Sequence, residues 1–381
     1  MNIFTPANAL AQIWADVKNF ATSAYPPFVT GYSDETPENI PVFSFHDVIT
    51  EKFAEQVEYF SLNGYETIAS AEYLARDGKT KGERVVMLTF DDGRASLWNV
   101  AYPLLKKHGM RAVAFISPGE MLEAVTARTP TMPAAVGNGD VLCSWPEIVA
   151  MRDVIDFQSH SLYHWMMFTG PEVACFFTPE IRGRWARIDL PIPRRNGKDD
   201  IGRDHPLGAP FYQMDSRLSG KPRMMEPEAV RSALAEHVRK NGGEAFFAHR
   251  GWYGELMSVH NDAVREADFI YETPEETSIA LSQAACESRR IIEDRLPGHV
   301  VNVFCPPFAI GGKLAVEAIA SAGYNYIHWG VNVPETAKPV PGVINVTRVK
   351  DDFIFRLPGR GRRSLFNAIA GKALRRVGLS A

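Results

Sequence analysis

Two short motifs carry side chains that could bind a metal ion and activate a water molecule. The first, Thr89-Phe90-Asp91-Asp92-Gly93, ends the continuous apolar run of residues 84–90, which is typical of a parallel strand buried on both faces. A turn at Gly93 would allow one carboxylate to bind a metal while its neighbour acts as a base. Two solvated carboxylates in an Asp-Asp-Gly turn are the alternative interpretation.

The second motif, His160-Ser161-Leu162-Tyr163-His164, follows a strand predicted at residues 155–158. Its two histidines are four residues apart, so on a helical turn they face the same way, and neutral imidazoles suit Zn²⁺ and similar ions. The alternative is a pair of surface histidines at the start of a helix. Both motifs follow predicted strands, however, and barrel enzymes build their active sites at such strand ends. Together they predict a His₂-Asp metal site with coordination positions left open for water and substrate.

Strands alternate with helices along most of the chain, which predicts a parallel sheet or barrel. Between about 170 and 275 many prolines break the alternation, and we expect a large insertion there instead of an independent domain. Residues 1–40 are expected to be an irregular N-terminal segment. The predicted strands are 41–45, 84–90, 112–116, 155–158, 300–304, 324–329 and 343–348, and the predicted helices are 51–63, 101–107, 145–152, 227–241, 257–266, 277–295 and 312–322.

The charge of the 381-residue chain is unevenly distributed. Residues 356–381 contain seven Lys and Arg and no acid, so the rest of the chain carries 34 basic against 45 acidic side chains. An acidic body argues against a nucleic-acid-binding protein. No apolar stretch approaches the length of about 18 residues that a membrane-spanning helix needs. Four scattered cysteines and the lack of a secretory signal pattern in the first 25 residues predict a cytoplasmic location.

The basic tail, residues 356–381, has an amphipathic pattern. Within residues 364–379 apolar side chains recur at helical spacing beside Arg and Lys. This pattern is typical of a helix in peripheral contact with anionic lipid at the inner face of the membrane. Because the stripe is short and has few large apolar groups, we favour instead a helix docked on the acidic body of this chain or of a second copy, which would make a homo-oligomer.

The two chemical motifs resemble those of the polysaccharide deacetylase family (NodB homology domain, carbohydrate esterase family 4). Residues 41–47, Pro-Val-Phe-Ser-Phe-His-Asp, resemble the opening strand of that family, and residues 303–308, Val-Phe-Cys-Pro-Pro-Phe, resemble its third motif. The resemblance covers roughly residues 41–168 and 275–350. It implies an α/β fold over residues 41–355, namely a distorted (β/α) barrel of about seven strands with the insertion after the His-x-x-x-His motif.

The resemblance also implies roles for individual residues. It assigns a divalent metal, most commonly Zn²⁺ with Co²⁺, Ni²⁺ or Mn²⁺ as alternatives, to Asp92, His160 and His164. It makes Asp91 the base that takes a proton from water, and it places the oxyanion of the reaction near the backbone N–H of Phe308.

The sequence departs from the family pattern at two places. Cys305 stands where the third motif usually has the arginine that orients the base, so the orientation of Asp91 must come from elsewhere. No Leu-x-His motif supplies a general acid near the C-terminus, and His328, with His249 as second choice, is our candidate. The residues predicted to line the substrate pocket are His46, Asp47, Pro307 and Arg348, and Arg348 could contact either Asp91 or substrate.

These expectations lead to one function with two alternatives. We expect a metal-dependent hydrolase that removes the N-acetyl group of an acetamido sugar during synthesis of a surface polysaccharide or lipopolysaccharide. The sugar could be nucleotide-linked, lipid-linked or polymeric. The first alternative is the same fold acting on a non-sugar amide, a formamide or an O-acetyl ester, and the second is an inactive glycan-binding or scaffolding barrel. Arginines and aromatic residues of the insertion could contact an anionic glycan or serve packing.

Overall fold

The fold is built on parallel strands, and a computed structural model describes residues 25–131, 141–195, 197–337 and 340–369. In chain order the strands are β1 (Val42–Phe45), β2 (Glu66–Thr67), β3 (Val85–Phe90), β4 (Ala112–Ile116), β5 (Ile155–Ser159), β6 (Met166–Phe176), β7 (Arg194–Arg195), β8 (Lys198–Asp199), β9 (Pro210–Ser216), β10 (Met224–Met225), β11 (Ile270–Tyr271), β12 (Val303–Phe304), β13 (Tyr326–His328), β14 (Ile344–Val346) and β15 (Val349–Lys350).

The α-helices, in the same order, are α1 (Pro27–Thr30), α2 (Thr50–Leu62), α3 (Ser70–Ala75), α4 (Tyr102–Lys107), α5 (Trp145–Ala150), α6 (Pro179–Arg184), α7 (Glu228–Lys240), α8 (Trp252–Ala263), α9 (Pro274–Arg295) and α10 (Lys313–Ser321). Single-turn or irregular helical segments cover Leu97–Ala101, Arg187–Asp189, Arg217–Ser219, Gly243–Ala248, Val264–Glu266, Pro307–Ala309, Glu335–Ala337 and Asp351–Arg356.

Eight strands form one curled sheet in the order β14-β13-β12-β5-β4-β3-β1-β15, and β2 pairs with the start of β3. Every pairing along this path is parallel. The two end strands, β14 and β15, are separated in the chain only by Thr347 and Arg348. The sheet therefore curls round until its ends meet, and β14 and β15 act as one interrupted strand. The predicted distorted (β/α) barrel is confirmed.

Both faces of the sheet are buried, which explains the apolar run of β3. Val85 and Met87 face a cluster inside the barrel, whereas Val86 and Leu88 belong to the larger cluster between sheet and helices. Successive side chains of a strand point to opposite faces, so burial on both sides requires an apolar residue at each of these positions. The carboxyl ends of β3 and β5 consequently emerge at one end of the barrel.

The insertion contains more regular structure than the sequence predicted. β6 and β9, which the sequence analysis did not predict, form an antiparallel pair with several register shifts. Helix α7 lies within the predicted 227–241, but α8 begins at Trp252 instead of residue 257, and α6 was not predicted. The insertion has apolar clusters of its own, which include Phe211 and Leu234.

The predicted tail helix lies mostly outside the described residues, because the structure describes the C-terminus only as far as residue 369. Residues 365–369 are helical, and Phe366 is 78% exposed. Within the described ranges, none of the helices has the length and apolar character needed to cross a bilayer.

Candidate metal centre and active site

The end of β3 places two carboxylates side by side. The backbone N–H of Asp91 donates to the carbonyl of Phe45, so Asp91 still extends the strand pairing. Asp92 then has φ 71°, a left-handed conformation that Asp tolerates better than most side chains, and this turn removes it from the strand alternation. Gly93 also has a positive φ, and a Cβ there would lie 2.9 Å from the sulfur of Met121. The turn buries both acids at the barrel end.

The end of β5 brings the two histidines to the same place, although in a loop and not in the helical turn that the spacing suggested. The backbone N–H of His160 donates to the carbonyl of Ile116, and Ser161 has φ 67°. The Nε2 atoms of His160 and His164 lie 3.3 and 3.5 Å from Oδ1 of Asp92. The four-residue spacing thus correctly identified two side chains that converge. The backbone between them forms a loop, which the spacing did not predict.

The donor set of these three residues fits a divalent cation. Nδ1 of His160 lies 2.6 Å from the Cys305 carbonyl, and Nδ1 of His164 lies 3.3 Å from the Ile188 carbonyl. Each carbonyl can only accept, so each Nδ1 carries the proton and each Nε2 presents a lone pair. Oδ1 of Asp92 is buried and has no hydrogen-bond partner. Three electron-pair donors therefore face one another within 4.8 Å, an arrangement that a cation would satisfy.

Charged neighbours keep the metal-facing carboxyl ionised. Nε of Arg94 donates to Oδ2 of Asp92 at 2.8 Å. Burial raises the pKa of Asp92, but in the metal-free protein His164 and His160, with a proton on Nε2, and Arg94 outweigh burial and hold this pKa well below its ordinary value. Arg94 also contacts Asp47, with 3.2 Å between Nη1 and Oδ2. Arg94 was not among the predicted site residues, although its place directly after the Asp-Asp-Gly turn was a usable signal.

Asp91 is held by Arg348 in a bidentate ion pair. Nη1 donates to Oδ1 at 2.6 Å and Nη2 donates to Oδ2 at 2.9 Å, and both side chains are about 95% buried. Burial alone would raise the pKa of Asp91, but the positive charge of the Arg348 guanidinium outweighs burial and lowers this pKa to about 2. Nε of Arg348 donates to the Trp329 carbonyl, so each of its nitrogens has a protein partner. The substrate-binding role predicted for Arg348 is therefore corrected, because this side chain serves Asp91 and is closed to solvent.

Two of the other predicted pocket residues lie at the open side of the centre. Nε2 of His46 is 3.8 Å from Oδ2 of Asp91, and the His46 side chain is 43% exposed. The Asp47 side chain is 32% exposed. Their positions leave both accessible to a substrate that enters from solvent.

The third motif lines another side of the centre. Phe308 and Ala309 have φ 59° and 53°, and the exposed fraction of Phe308 is 38%. The Phe308 ring centroid lies 4.3 Å from that of His164. Pro307, in contrast, is buried. Cys305 is also buried, which raises the pKa of its thiol well above the ordinary value and argues against a nucleophile.

The structure places neither candidate general acid at the metal centre. His328 is 2% exposed and packs inside the barrel, with its ring centroid 5.2 Å from that of Phe115. Burial, with Arg348 nearby, lowers the pKa of His328 to about 3, so it is neutral at neutral pH and has no proton to donate. His249 lies in the insertion, 44% exposed and 3.4 Å from Glu255. The strand that carries His328 ends on the predicted face, but the side chain points inward.

One contact of the centre had no signal in the sequence. Oδ1 of Asp189, in the insertion, lies 3.1 Å from Nδ1 of His164. Burial lowers the pKa of His164, but Asp92 and Asp189 raise it above its ordinary value. Asp189 is 25 residues beyond its partner and belongs to no recognisable motif, so only the structure identifies it.

Comparison with known proteins agrees with the motifs. Residues 78–174 match the family model described as polysaccharide deacetylase, and this range includes both acids and both histidines. The resemblance to the polysaccharide deacetylase family is confirmed. YxkH of Bacillus subtilis (strain 168), a protein that carries the polysaccharide deacetylase name, is 30% identical to this chain over 92 residues. That match covers 22% of this chain and only 33% of YxkH, about one third of the length of the relative.

Solved structures of deacetylases resemble the chain more distantly. A de-N-acetylase from Aggregatibacter actinomycetemcomitans has 13% identity and a TM-score of 0.48, over 87% of this chain and 99% of its own. The BpsB deacetylase domain from Bordetella bronchiseptica has 16% identity and a TM-score of 0.46, over 82% and 99%. IcaB from Ammonifex degensii has 15% identity and a TM-score of 0.42, over 83% and 92%.

Proposed function

We propose that this protein is a metal-dependent hydrolase that removes the N-acetyl group of an acetamido sugar in a glycan or a glycan precursor. The observation that carries the proposal is the pair of neighbouring carboxylates at the end of β3. One faces two imidazole Nε2 atoms at 3.3 and 3.5 Å, and the other is fixed by a bidentate arginine. A metal ligand and a base side by side are the minimum that hydrolysis of an amide at such a centre requires.

Asp92, His160 and His164 would hold the cation. When bound, a divalent cation supplies positive charge that lowers the pKa of water and polarises an amide carbonyl. A low pKa, of about 2, keeps Asp91 ionised at neutral pH and ready to accept a proton from the attacking water. The water oxygen then forms a bond to the carbonyl carbon, and the C–N bond breaks to give acetate and a free amine.

Proton return to the leaving amine can come from Asp91 itself. The protonated carboxyl is the nearest acid to the reacting atoms, and His328 is excluded by its burial inside the barrel. The backbone N–H at Phe308 is our candidate donor for the developing oxyanion, because the backbone there is left-handed and the Phe308 ring centroid lies 4.3 Å from that of His164. The proposed proton carrier, Asp91, and the proposed oxyanion donor, Phe308, both lie in segments that follow barrel strands, β3 and β12.

A carbohydrate is the substrate class that we infer. The family match of residues 78–174 supports it, and the half-exposed ring of Phe308 offers a surface on which a sugar ring can pack. The open side also presents His46 and Asp47, which can exchange hydrogen bonds with sugar hydroxyls.

The proposal is tested by metal content and acetate release measured on the same protein samples. Purified protein is stripped with a chelator, reloaded separately with Zn²⁺, Co²⁺, Ni²⁺ or Mn²⁺, and incubated with N-acetylglucosamine oligomers, UDP-linked N-acetyl sugars, an O-acetylated sugar and a formamide. We expect one metal ion per chain and metal-dependent acetate release from an N-acetyl sugar.

Two variants separate metal binding from chemistry. Asp92→Asn should lose both metal and activity, whereas Asp91→Asn should keep the metal and lose acetate release. Release of acetate only from the O-acetylated sugar, or of formate from the formamide, would show that the protein hydrolyses an ester or a formamide and not the amide of an N-acetyl group. A wild-type protein that binds metal and hydrolyses nothing would contradict the hydrolase itself.

A further inference from the structure

One segment of the insertion, residues 186–190, lies directly against the metal-facing loop. The Ile188 carbonyl accepts from Nδ1 of His164 at 3.3 Å, and Oδ1 of Asp189 lies 3.1 Å from the same nitrogen. His160, by comparison, has the Cys305 carbonyl of the barrel as its Nδ1 partner. The two imidazoles are therefore oriented by different parts of the molecule, one by the barrel and one by the insertion.

A buried ion pair holds this segment in place. The guanidinium of Arg203, another residue of the insertion, binds both oxygens of Glu120, which follows β4 of the barrel. Its Nε donates to the Leu190 carbonyl at 3.0 Å, and its Nη2 donates to the His164 carbonyl at 3.2 Å. The side chains of Arg203 and Glu120 are 0% and 1% exposed. One guanidinium thus links the barrel, the segment and the backbone of a metal-facing histidine.

Packing ties the same segment to the main core. Ala186 and Ile188 are buried in the large cluster between sheet and helices, whereas Leu190 is buried in a cluster of the insertion. The segment therefore bridges the two apolar clusters directly beneath His164. A shift of the insertion would move the acceptors of His164 Nδ1 with it.

We propose that residues 186–190 are a structural part of the metal centre: Asp189 is a positioning residue that fixes the orientation of His164, and metal binding and docking of the insertion stabilise each other. This rests on the metal site of the proposed function and not on the reaction catalysed there. Carboxylates hydrogen-bonded to ligating imidazoles typically change metal affinity by about 10- to 100-fold when they are removed. Because the coupling is a linkage, the metal must strengthen docking by the same factor by which docking strengthens metal binding.

The first test measures metal affinity without reference to activity. Zn²⁺ binding is titrated against a competing chromophoric chelator for wild type, Asp189→Asn, Asp189→Ala and the control Asp204→Asn. Asp204 is an exposed acid of the same insertion, so its substitution makes the same change in charge away from His164. We expect affinity to fall by about tenfold or more in Asp189→Ala. The fall should be smaller in Asp189→Asn, which keeps an acceptor oxygen, and absent in Asp204→Asn.

The second test measures docking of the insertion. Limited trypsin cleavage after Arg187, Arg194 and Arg195 is followed with and without Zn²⁺, because these arginines are partly exposed and lie within the segment or shortly after it. Zn²⁺ should slow these cleavages in wild type, and at the same free Zn²⁺ should protect Asp189→Ala less. Equal melting temperatures of the metal-free proteins show that the variants fold.

The two proposals fail in different ways. Wild-type affinity in Asp189→Ala, together with no metal-dependent protection, would overturn the inference and leave the hydrolase proposal intact. A wild type that shows metal-dependent protection but releases no acetate from any substrate would support the inference and contradict the hydrolase. Absence of metal binding in wild type would contradict both.

Discussion

At the scale of single residues, the pairing of Asp91 with Arg348 decides how the base is presented. The two are 257 positions apart in the chain, and Sγ of Cys305 lies 3.0 Å from Nη2 of the same guanidinium. The cysteine thus stands at the position where the family motif carries its arginine, and a guanidinium from the β14–β15 junction occupies the space beside it. We infer that the guanidinium of Arg348 does for Asp91 what an arginine at position 305 would do.

This inference predicts a second-site rescue. Arg348→Lys keeps the charge but loses the bidentate geometry, so kcat should fall by about 100-fold with little change in KM or metal content. The double variant Cys305→Arg/Arg348→Ala should recover part of kcat relative to Arg348→Ala, because the new guanidinium starts next to the vacated space. The exposed Arg184→Ala is the control. If Arg348→Lys has wild-type kcat, the guanidinium does not orient the base.

The same pair predicts how stability depends on pH. The pKa of Asp91 is about 2 in the folded chain against an ordinary value of 3.8. A lowered pKa means that the stabilisation is fully present above pH 3.8 and is lost as the pH falls towards 2, an effect of about 2 kcal/mol. Urea unfolding of metal-free protein between pH 5 and pH 2 measures it. Asp91→Asn should lose less free energy of unfolding over that interval than wild type, and an identical loss would contradict the assignment.

At the scale of elements, the turn after β3 sets the direction of Asp92. Gly93 has φ 70°, and a Cβ there would meet the sulfur of Met121 at 2.9 Å and Ile116 at 3.1 Å. A side chain at this position therefore combines backbone strain with overlap, and either effect displaces the neighbouring carboxylate.

Gly93→Ala should destabilise the protein by about 1–3 kcal/mol and weaken metal binding, as measured by urea unfolding and Zn²⁺ titration. Gly254→Ala is the matched control, since Gly254 is an exposed position within α8 with no atom within 4 Å of a Cβ. Alanine there should stabilise by about 0.5–1 kcal/mol. Equal changes in the free energy of unfolding and in Zn²⁺ binding for the two substitutions would show that the turn does not require glycine at position 93.

The elements also show what sequence could and could not predict. The strands of the barrel were predictable because burial on both faces produces continuous apolar runs, as in β3. β6 and β9 were not, because glycine, proline and register shifts disguise a strand that pairs with a distant partner. The metal-facing side chains were predictable from residue type and spacing, whereas Arg348 and Asp189 act through contacts that no local pattern encodes. The prediction of His328 as general acid was wrong. A position at the end of a strand shows how far along the barrel axis a residue lies, but it does not show whether the side chain points into the barrel interior.

At the scale of the whole molecule, the candidate metal centre lies where three parts of the chain meet: the strand ends, the insertion and the strand that joins the ends of the sheet. A ligand that binds only the folded chain stabilises it by mass action, by about 2.7 kcal/mol at a hundredfold excess over Kd. The predicted cytoplasmic location and the membrane contact of residues 364–379 stay predictions, the latter because most of that segment lies outside the described residues.

Removal of the metal should lower the melting temperature by several degrees, and readdition should restore it. The melting temperature is measured by scanning calorimetry with chelator and with Zn²⁺. Asp92→Asn should melt at the same temperature in both conditions, because it lacks the carboxylate that faces both imidazoles. A metal-dependent shift that persists in Asp92→Asn would place the binding site elsewhere.

The joining of the sheet's ends by Thr347 and Arg348 has a consequence for the order in which the candidate site is completed during synthesis of the chain. The acids and histidines of residues 91–164 are made early, but the counter-charge of Asp91 is among the last residues of the barrel to be synthesised. A nascent chain that has already emerged as far as α10 would still carry an unpaired acid. Completion of the candidate site therefore waits for the final strand, and a chain that ended before residue 348 would contain Asp92, His160 and His164 but neither the partner of Asp91 nor the strand β15 that closes the sheet.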